Sequence, residues 1–218
     1  MGDARARILI VDDHLMFGES LARLLGLESD FEVVGVAVTA NDARQLVESS
    51  RPAVVVIDYQ LPDMDGVALT RILKDAHPDL HVIILTGLDD DAVLRGAIEA
   101  GAAGFLTKDR AADEVVEAVR TVLGGEALIS PQMLARLLSQ LSGRSTQRQD
   151  DQLTAREHEI LVLMAKGLSN KAIATEIFLS VNTVRNHVQS ILSKLGAHSK
   201  LEAISTAVRR DIIEYPGQ

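Results

Sequence analysis

Residues 53–66 have the sequence AVVVIDYQLPDMDG, in which an apolar run is followed by an acid, a turn and a helical pattern. A short run that is apolar at every position is typical of a β-strand covered on both faces. Comparable β-rich runs occur at 8–11, 31–38, 81–85 and 104–106. Helical patterns lie between and after them, at 15–27, 40–49, 66–75, 90–99 and 111–123. This alternation predicts an α/β domain with a doubly wound, five-stranded parallel sheet.

The rest of the chain has only helical patterns. Ser130-Pro131 predicts the start of a helix that runs to about residue 141, because proline suits the first helical turn. The polar stretch 142–152 predicts a linker. Beyond it, helix caps and ends are predicted at Thr154 with Glu157, Gly167, Ser169 or Asn170, Ser180, Gly196 and Ser199. We therefore divide the chain into residues 1–125, 126–152 and 153–218, the last a small all-α domain with a helix-turn-helix.

The charge of the chain is unevenly distributed. The net charge of −9 alone argues against a nucleic-acid partner. However, residues 1–150 hold 14 basic and 24 acidic side chains, whereas residues 154–210 hold 8 basic and 4 acidic ones. This asymmetry favours two domains with different partners, of which the basic one could approach DNA.

Two absences limit the classes of function. The chain has no cysteine, which excludes disulfides, thiolate metal sites and thiol nucleophiles. No apolar run reaches the length of about 18 residues that a transmembrane helix needs, and the N-terminus has no apolar signal-peptide core. We expect a cytoplasmic protein that does not contact a membrane.

Polar residues follow the predicted strands at the points where the strands end. Asp12 and Asp13 follow the first run, Asp58 the third and Thr86 the fourth, while Lys108 comes just after the fifth. The carboxyl ends of parallel strands lie on one edge of a sheet, where ligands bind in such folds. Grouped carboxylates need a cation, and oxygen ligands suit Mg²⁺. With an ammonium and a hydroxyl nearby, the set predicts a site for a phosphoryl group.

Residues 7–123 resemble the receiver domain of two-component response regulators, which has a flavodoxin-like fold. The matching blocks are RILIVDD, VVVIDYQLPDMDG, VIILTG and GAAGFLTKD, in the family's order. The resemblance implies that Asp58 accepts the phosphoryl group and that Thr86 and Lys108 contact its oxygens. It also implies a Mg²⁺ site formed by Asp12, Asp13, Asp58 and the main-chain carbonyl of Gln60, in which Asp13 binds the ion directly and Asp12 mainly supports it through water. Phe105 matches the aromatic position that pairs with Thr86 in the family's switch.

Each of these residues also has a structural interpretation. Asp13 could cap a helix, Thr86 could be a loop hydroxyl, and Lys108 could be a solvated charge. Phe105 could be a packed aromatic, and residues 63–66 could form only a turn in which Gly66 supplies permissive backbone angles. The sequence departs from many receivers at Asp109, where a proline is frequent. Gln60 and Leu88 occupy positions that influence the lifetime of the phosphorylated state in the family.

One predicted helix of the tail is amphipathic. Its apolar face consists of Val184, Val188, Ile191, Leu192 and Leu195, and its polar side holds residues of the types that contact DNA. The alternative is a small bundle with a solvated polar face, which the spacing fits equally well. Residues 153–204 resemble the LuxR-type DNA-binding domain throughout. The resemblance implies DNA contacts from Lys171, Asn182, Thr183, Arg185, Asn186, His187, Gln189 and Lys194.

The tail departs from the family at two positions, and its last helix has two possible roles. Arg185 stands where the family usually has lysine, and Gln189 where some relatives have a base-contacting lysine. In the family the last helix forms the dimer contact, which implies a role for Leu201, Ile204, Ser205 and Val208. Those four residues could instead only close the bundle.

The two halves together resemble a response regulator of the NarL/FixJ family. The resemblance implies a transcriptional regulator rather than an enzyme, apart from its own phosphoryl transfer and dephosphorylation. Its expected partners are a sensor histidine kinase, double-stranded promoter DNA and a second copy of the chain, with RNA polymerase as a further candidate. Three alternatives stay open: an aspartyl-phosphate hydrolase, a regulator independent of phosphorylation, and a protein-binding adaptor. The hydrolase would need a second acid where Gln60 stands.

Overall fold

The first part of the computed structural model is a five-stranded sheet in the order β2-β1-β3-β4-β5, and all of its strand pairs are parallel. The structure describes residues 5–87, 91–130, 133–134 and 153–213. The strands are β1 (Ala6–Val11), β2 (Phe31–Ala37), β3 (Val54–Asp58), β4 (His81–Thr86) and β5 (Gly104–Thr107). The predicted doubly wound parallel sheet is confirmed.

Helices cover both faces of this sheet. They are α1 (Leu15–Leu25), α2 (Ala40–Ser50), α3 (Gly66–Ala76), α4 (Asp91–Glu99) and α5 (Lys108–Leu123). Along β3, Val54 and Val56 pack with α1 and α5, whereas Val55 and Ile57 pack with α2, α3 and α4. Alternate side chains of one strand thus enter two cores, which explains why the runs are apolar throughout. The helix predicted at 111–123 begins three residues earlier, at Lys108.

Glycine is required at position 66, in the turn after β3, but not for the permissive backbone angles considered above. The φ angle of Gly66 is not in the left-handed region. A Cβ atom at Gly66 would instead lie 2.5 Å from the Asp58 carbonyl oxygen, so the requirement is steric. Asp63 accepts hydrogen bonds from the backbone N–H groups of Ala40 and Asn41, at 2.9 and 3.0 Å. Its carboxylate therefore holds the start of α2 against this turn.

The C-terminal part is a helical domain. Its helices are α6 (Ala155–Ala165), α7 (Asn170–Glu176), α8 (Val181–Leu195) and α9 (Lys200–Arg209). The capping box of Thr154 and Glu157 is present. The predicted caps at Ser169, Ser180 and Ser199 and the left-handed end at Gly196 are confirmed. The order α7, turn, α8 forms the predicted helix-turn-helix.

The connection between the domains is described only at its ends. Ser130 Oγ accepts a hydrogen bond from the Met133 N–H at 3.2 Å, as a helix cap does. The rest of the predicted helix to about residue 141, and the linker 142–152, lie outside the described residues. The domain boundaries at 125 and 152 stay predictions. Among the described helices, none is long and apolar enough to cross a membrane.

Candidate functional site

The ends of β1 and β3 bring an acidic pocket together. Asp12 and Asp58 are buried, whereas Asp13 and His14 are exposed. Each of the four offers one ligand atom, and these atoms lie within 4.8 Å of one another. The grouping of Asp12, Asp13 and Asp58 agrees with the sequence prediction. His14 is an addition to it, and its Nδ1 lies 2.8 Å from Asp13 Oδ1.

Lys108 closes the pocket on the side of β5. Its Nζ lies 2.7 Å from Asp58 Oδ2 and 2.9 Å from Asp12 Oδ2. The ammonium also lies 4.9 Å from the centre of the Phe17 ring, within range of a cation–π contact. Lys108 is therefore a paired cation, and the solvated-charge alternative is not what the structure shows.

Burial and charge pairing have opposite effects on the pKa values of Asp58 and Lys108. Burial raises the pKa of Asp58, and the charge of Asp12 adds to this, while the hydrogen bond from Lys108 acts in the other direction. Burial would lower the pKa of Lys108, but its hydrogen bond to Asp58 and its ion pair with Asp12 outweigh burial and raise it. The pocket thus holds closely spaced carboxylates whose repulsion one ammonium only partly offsets.

The backbone positions the remaining pocket residues. The Gln60 N–H donates to Asp58 Oδ1 at 3.3 Å, which places Gln60 beside the carboxylate. Thr86 is buried at the last position of β4, not in a loop. The N-cap of α1 is His14, and no side chain caps that helix end, so the capping alternative for Asp13 is not supported.

Phe105 lies in the core of the sheet domain. It stands opposite Ile84 in the β4–β5 register, while Thr86 stands opposite Thr107. Its side chain is buried in the cluster that includes Val93 and Leu94 of α4. In this arrangement Phe105 is a packed aromatic, and its part in a switch stays a prediction.

The predicted DNA-contacting residues lie on α7 and α8. Thr183 and His187 are half-buried, and the others are exposed: Lys171, Asn182, Arg185, Asn186, Gln189 and Lys194. The apolar face predicted for α8 is inside the domain, with Val184, Val188, Ile191 and Leu195 buried. Most of the polar side chains of α8 are thus on its surface, as both a DNA-binding face and a solvated bundle surface would have them.

Glu157, on α6, contacts two polar residues of α8, Ser190 and Lys194. This buried carboxylate lies 2.7 Å from Lys194 Nζ and accepts a hydrogen bond from Ser190. Burial opposes its ionisation, but the hydrogen bonds from Lys194, Ser190 and Thr154 outweigh burial and lower its pKa to about 2. Lys194 thus has a structural partner as well as its predicted role at DNA.

The four predicted dimer residues of α9 are all buried. Leu201, Ile204, Ser205 and Val208 are within the domain or its contact with α4. The bundle-closing interpretation therefore accounts for them in this arrangement. Their part in a dimer stays a prediction.

Three contacts were missed by the sequence reasoning. His14 followed the two acids directly, so its place in the pocket could have been inferred from adjacency. The pairing of Glu157 with Lys194 and that of Glu126 with Lys200 span 37 and 74 residues. No local pattern marks either pairing.

Comparison with known proteins identifies the family. The response regulator receiver domain matches residues 8–120, and the luxR family of bacterial regulatory proteins matches residues 151–207. The chain belongs to the response regulator family. As a response regulator of two-component systems, it combines a receiver domain with a LuxR-type DNA-binding domain.

Relatives of this response regulator align over nearly its whole length. The transcriptional activator DevR/DosR of Mycobacterium tuberculosis is 37% identical over 213 residues, which cover 97% of this chain and 98% of the relative. DegU of Brevibacillus brevis is 33% identical over 227 residues, with coverage of 96% and 95%. The crystal structure of ChrA, a response regulator of a heme-sensing system, is 34% identical with a TM-score of 0.52 and covers 96% of this chain and 100% of ChrA.

Proposed function

We propose that a sensor histidine kinase phosphorylates Asp58 and that this modification controls the binding of promoter DNA by the helical domain. The observation that supports the proposal is the placement of Asp58. Its carboxylate is buried at the end of β3, 2.7 Å from Lys108 Nζ and grouped with Asp12 and Asp13. The Lys108 ammonium supplies part of the charge neutralisation that phosphoryl transfer requires, and the grouped carboxylates can hold a cation that supplies the rest.

The donor set fits Mg²⁺. Three carboxylates are hard oxygen ligands, and Mg²⁺ typically takes one or two such groups and keeps several waters. Asp12, Asp13, Asp58 and the main-chain carbonyl of Gln60 would hold the ion. When bound, it would neutralise negative charge on the transferred phosphoryl group.

The transfer itself uses residues of the chain. One carboxylate oxygen of Asp58 attacks phosphorus, an O–P bond forms, and the P–N bond to the kinase histidine breaks. The Lys108 ammonium, which pairs with Asp58 in this structure, then pairs with an oxygen of the phosphoryl group. The buried Thr86 hydroxyl donates to another oxygen.

The new charge acts on the rest of the receiver domain. In the proposed switch, Thr86 moves toward the phosphoryl group and Phe105 repacks against α4. Such a change shifts an equilibrium that exists before phosphorylation. Because α4 contacts α9, repacking of α4 would weaken the contact between the domains.

The helical domain supplies DNA recognition. Arg185 and Asn186 are exposed on α8, where their side chains can form paired hydrogen bonds with base edges in the major groove. The released α9 would form the dimer contact through Leu201, Ile204, Ser205 and Val208. Two α8 helices would then enter successive major grooves, and the dimer could contact RNA polymerase. These partners imply action in the cytoplasm.

The decisive experiment replaces the phosphoacceptor. Asp58→Asn, incubated with Mg²⁺ and a small phosphodonor such as acetyl phosphate, should incorporate no phosphate by intact-protein mass spectrometry. Asp75→Asn, an exposed acid on α3, is the control and should incorporate phosphate as the unmodified chain does. Undiminished incorporation by Asp58→Asn would overturn the site assignment.

A further inference from the structure

The Glu126 carboxylate, in the chain that directly follows the receiver domain, contacts the DNA-binding domain. Its Oε1 accepts a hydrogen bond from the Asn170 N–H at 2.7 Å, and its Oε2 accepts one from Lys200 Nζ at 2.7 Å. The Lys200 side chain is only 5% exposed, so its charge has lost nearly all of its hydration. Both donors belong to the helical domain, and the acceptor comes from the chain just after α5.

The Asn170 N–H and Lys200 Nζ both bind the Glu126 carboxylate, next to the exposed side chains of α7 and α8 that are proposed to contact DNA (the DNA face). Lys171, one of the proposed DNA contacts, follows Asn170 directly. Burial lowers the pKa of Lys200, and the nearby charge of Arg185 contributes to the same effect. Glu126, Lys200 and Gln189 also line one cavity of about 350 Å³ between the domains. The Glu126 contact thus lies beside the helix that is proposed to enter the major groove.

We propose that Lys200 and the Asn170 N–H form a binding site for a DNA backbone phosphate, and that Glu126 occupies this site while the domains are docked. The inference rests on the proposed DNA binding by α8. Phosphate oxygens in protein–DNA complexes accept hydrogen bonds mainly from lysine, arginine, polar side chains and backbone N–H groups. A carboxylate offers the same two donors a comparable pair of anionic oxygens.

The site has two exclusive occupants. With Glu126 bound, Lys200 cannot neutralise a phosphate, and the acidic receiver domain stands beside the DNA face. When the domains separate, Lys200 regains hydration and becomes available to the duplex. Because each lysine paired with a phosphate releases a counterion, this contact contributes to affinity and to its salt dependence.

The test measures binding of the full chain to a mixed-sequence DNA duplex by fluorescence anisotropy over a range of salt concentrations. Glu126→Gln keeps the shape and one acceptor but removes the charge, so it should tighten DNA binding. Glu99→Gln is the matched control, because it removes another acid that pairs across the domains, at 3.4 Å from Arg209 in a partly exposed pair. It should change affinity much less than Glu126→Gln does.

The decisive comparison is made in the Glu126→Gln background, where the competing carboxylate is gone. Adding Lys200→Gln should weaken binding on the order of tenfold and reduce the slope of log affinity against log salt by about 0.9. Adding Lys200→Arg should preserve both. An unchanged affinity and slope in the Lys200→Gln double variant would overturn the phosphate site. Absence of duplex binding by every variant, with native circular dichroism, would overturn the proposed DNA-binding function itself.

Discussion

Lys108 Nζ lies 2.7 Å from Asp58 Oδ2 and 2.9 Å from Asp12 Oδ2, so one ammonium bridges the carboxylates at the ends of two neighbouring strands. Lys108 is the first residue of α5, and β5 ends at the residue before it. The position of this cation is therefore fixed by the sheet, and the helix start supports it. From this position the Lys108 ammonium could neutralise an oxygen of a phosphoryl group attached to Asp58.

Removal of this ammonium should impair phosphorylation. We expect Lys108→Gln to incorporate phosphate from acetyl phosphate about 10²-fold more slowly, because one positioned charge is lost from the transition state. The rate is measured by intact-protein mass spectrometry over time. Arg110→Gln is the control, since Arg110 is exposed on the same helix and pairs with Glu114. Equal rates for Lys108→Gln and the control would remove Lys108 from the proposed chemistry.

Gly66 should tolerate no side chain. A Cβ atom there would lie 2.5 Å from the Asp58 carbonyl oxygen and 3.0 Å from Tyr59 Cα, so the backbone after β3 must move. We expect Gly66→Ala to lower the free energy of unfolding by about 1–3 kcal/mol and to slow phosphorylation of Asp58. Urea denaturation and the acetyl phosphate assay measure the two effects.

Gly96 provides the comparison for this steric argument. It lies within α4, where a Cβ atom would meet Val67 at an ordinary contact distance of 3.4 Å. Gly96→Ala should be neutral or stabilise the protein by about 0.5–1 kcal/mol, because alanine favours the helix. If Gly66→Ala changed the free energy of unfolding as little as Gly96→Ala does, close packing against Asp58 would not explain why residue 66 is glycine.

The sequence predicted the sheet and the pocket well because both depend on local patterns. Each strand is a continuous apolar run, and the residues that follow parallel strands all lie at the carboxyl edge of the sheet. The start of α5 was placed too late because Lys108, Asp109 and Arg110 show no apolar periodicity. The contact of Glu126 with Lys200 was not predictable, since it depends on how two separately patterned domains dock.

Glu157 should make the stability of the protein depend on acid pH. Its pKa is lowered to about 2 in the folded state, against an ordinary value of 4.5. A lowered pKa means that the ionised carboxylate stabilises the fold above about pH 4.5 and that this contribution is lost as the pH falls toward 2. We expect Glu157→Gln to cost about 2 kcal/mol at neutral pH and much less near pH 2. Urea denaturation followed by circular dichroism at each pH measures the difference.

Glu159→Gln separates this effect from general acid denaturation. Glu159 is on the same helix but exposed, and it pairs with Arg156 three residues away. Its replacement should change stability by less than about 0.5 kcal/mol at every pH. A similar pH profile for the two variants would show that the buried contacts of Glu157 with Lys194 and Ser190 do not stabilise the domain.

Arg185 should contribute to DNA affinity more than other exposed cations of the same domain. It lies on the exposed face of α8, and its planar guanidinium presents a rigid fork of donors that suits paired hydrogen bonds with guanine. Arg185→Ala should weaken binding of the full chain to its preferred duplex by about 1–3 kcal/mol. The preferred duplex is first selected from a random library, and affinities are measured by fluorescence anisotropy at moderate salt. Lys166→Ala, at the exposed end of α6, is the control. An unchanged affinity for Arg185→Ala would count against α8 as the recognition helix.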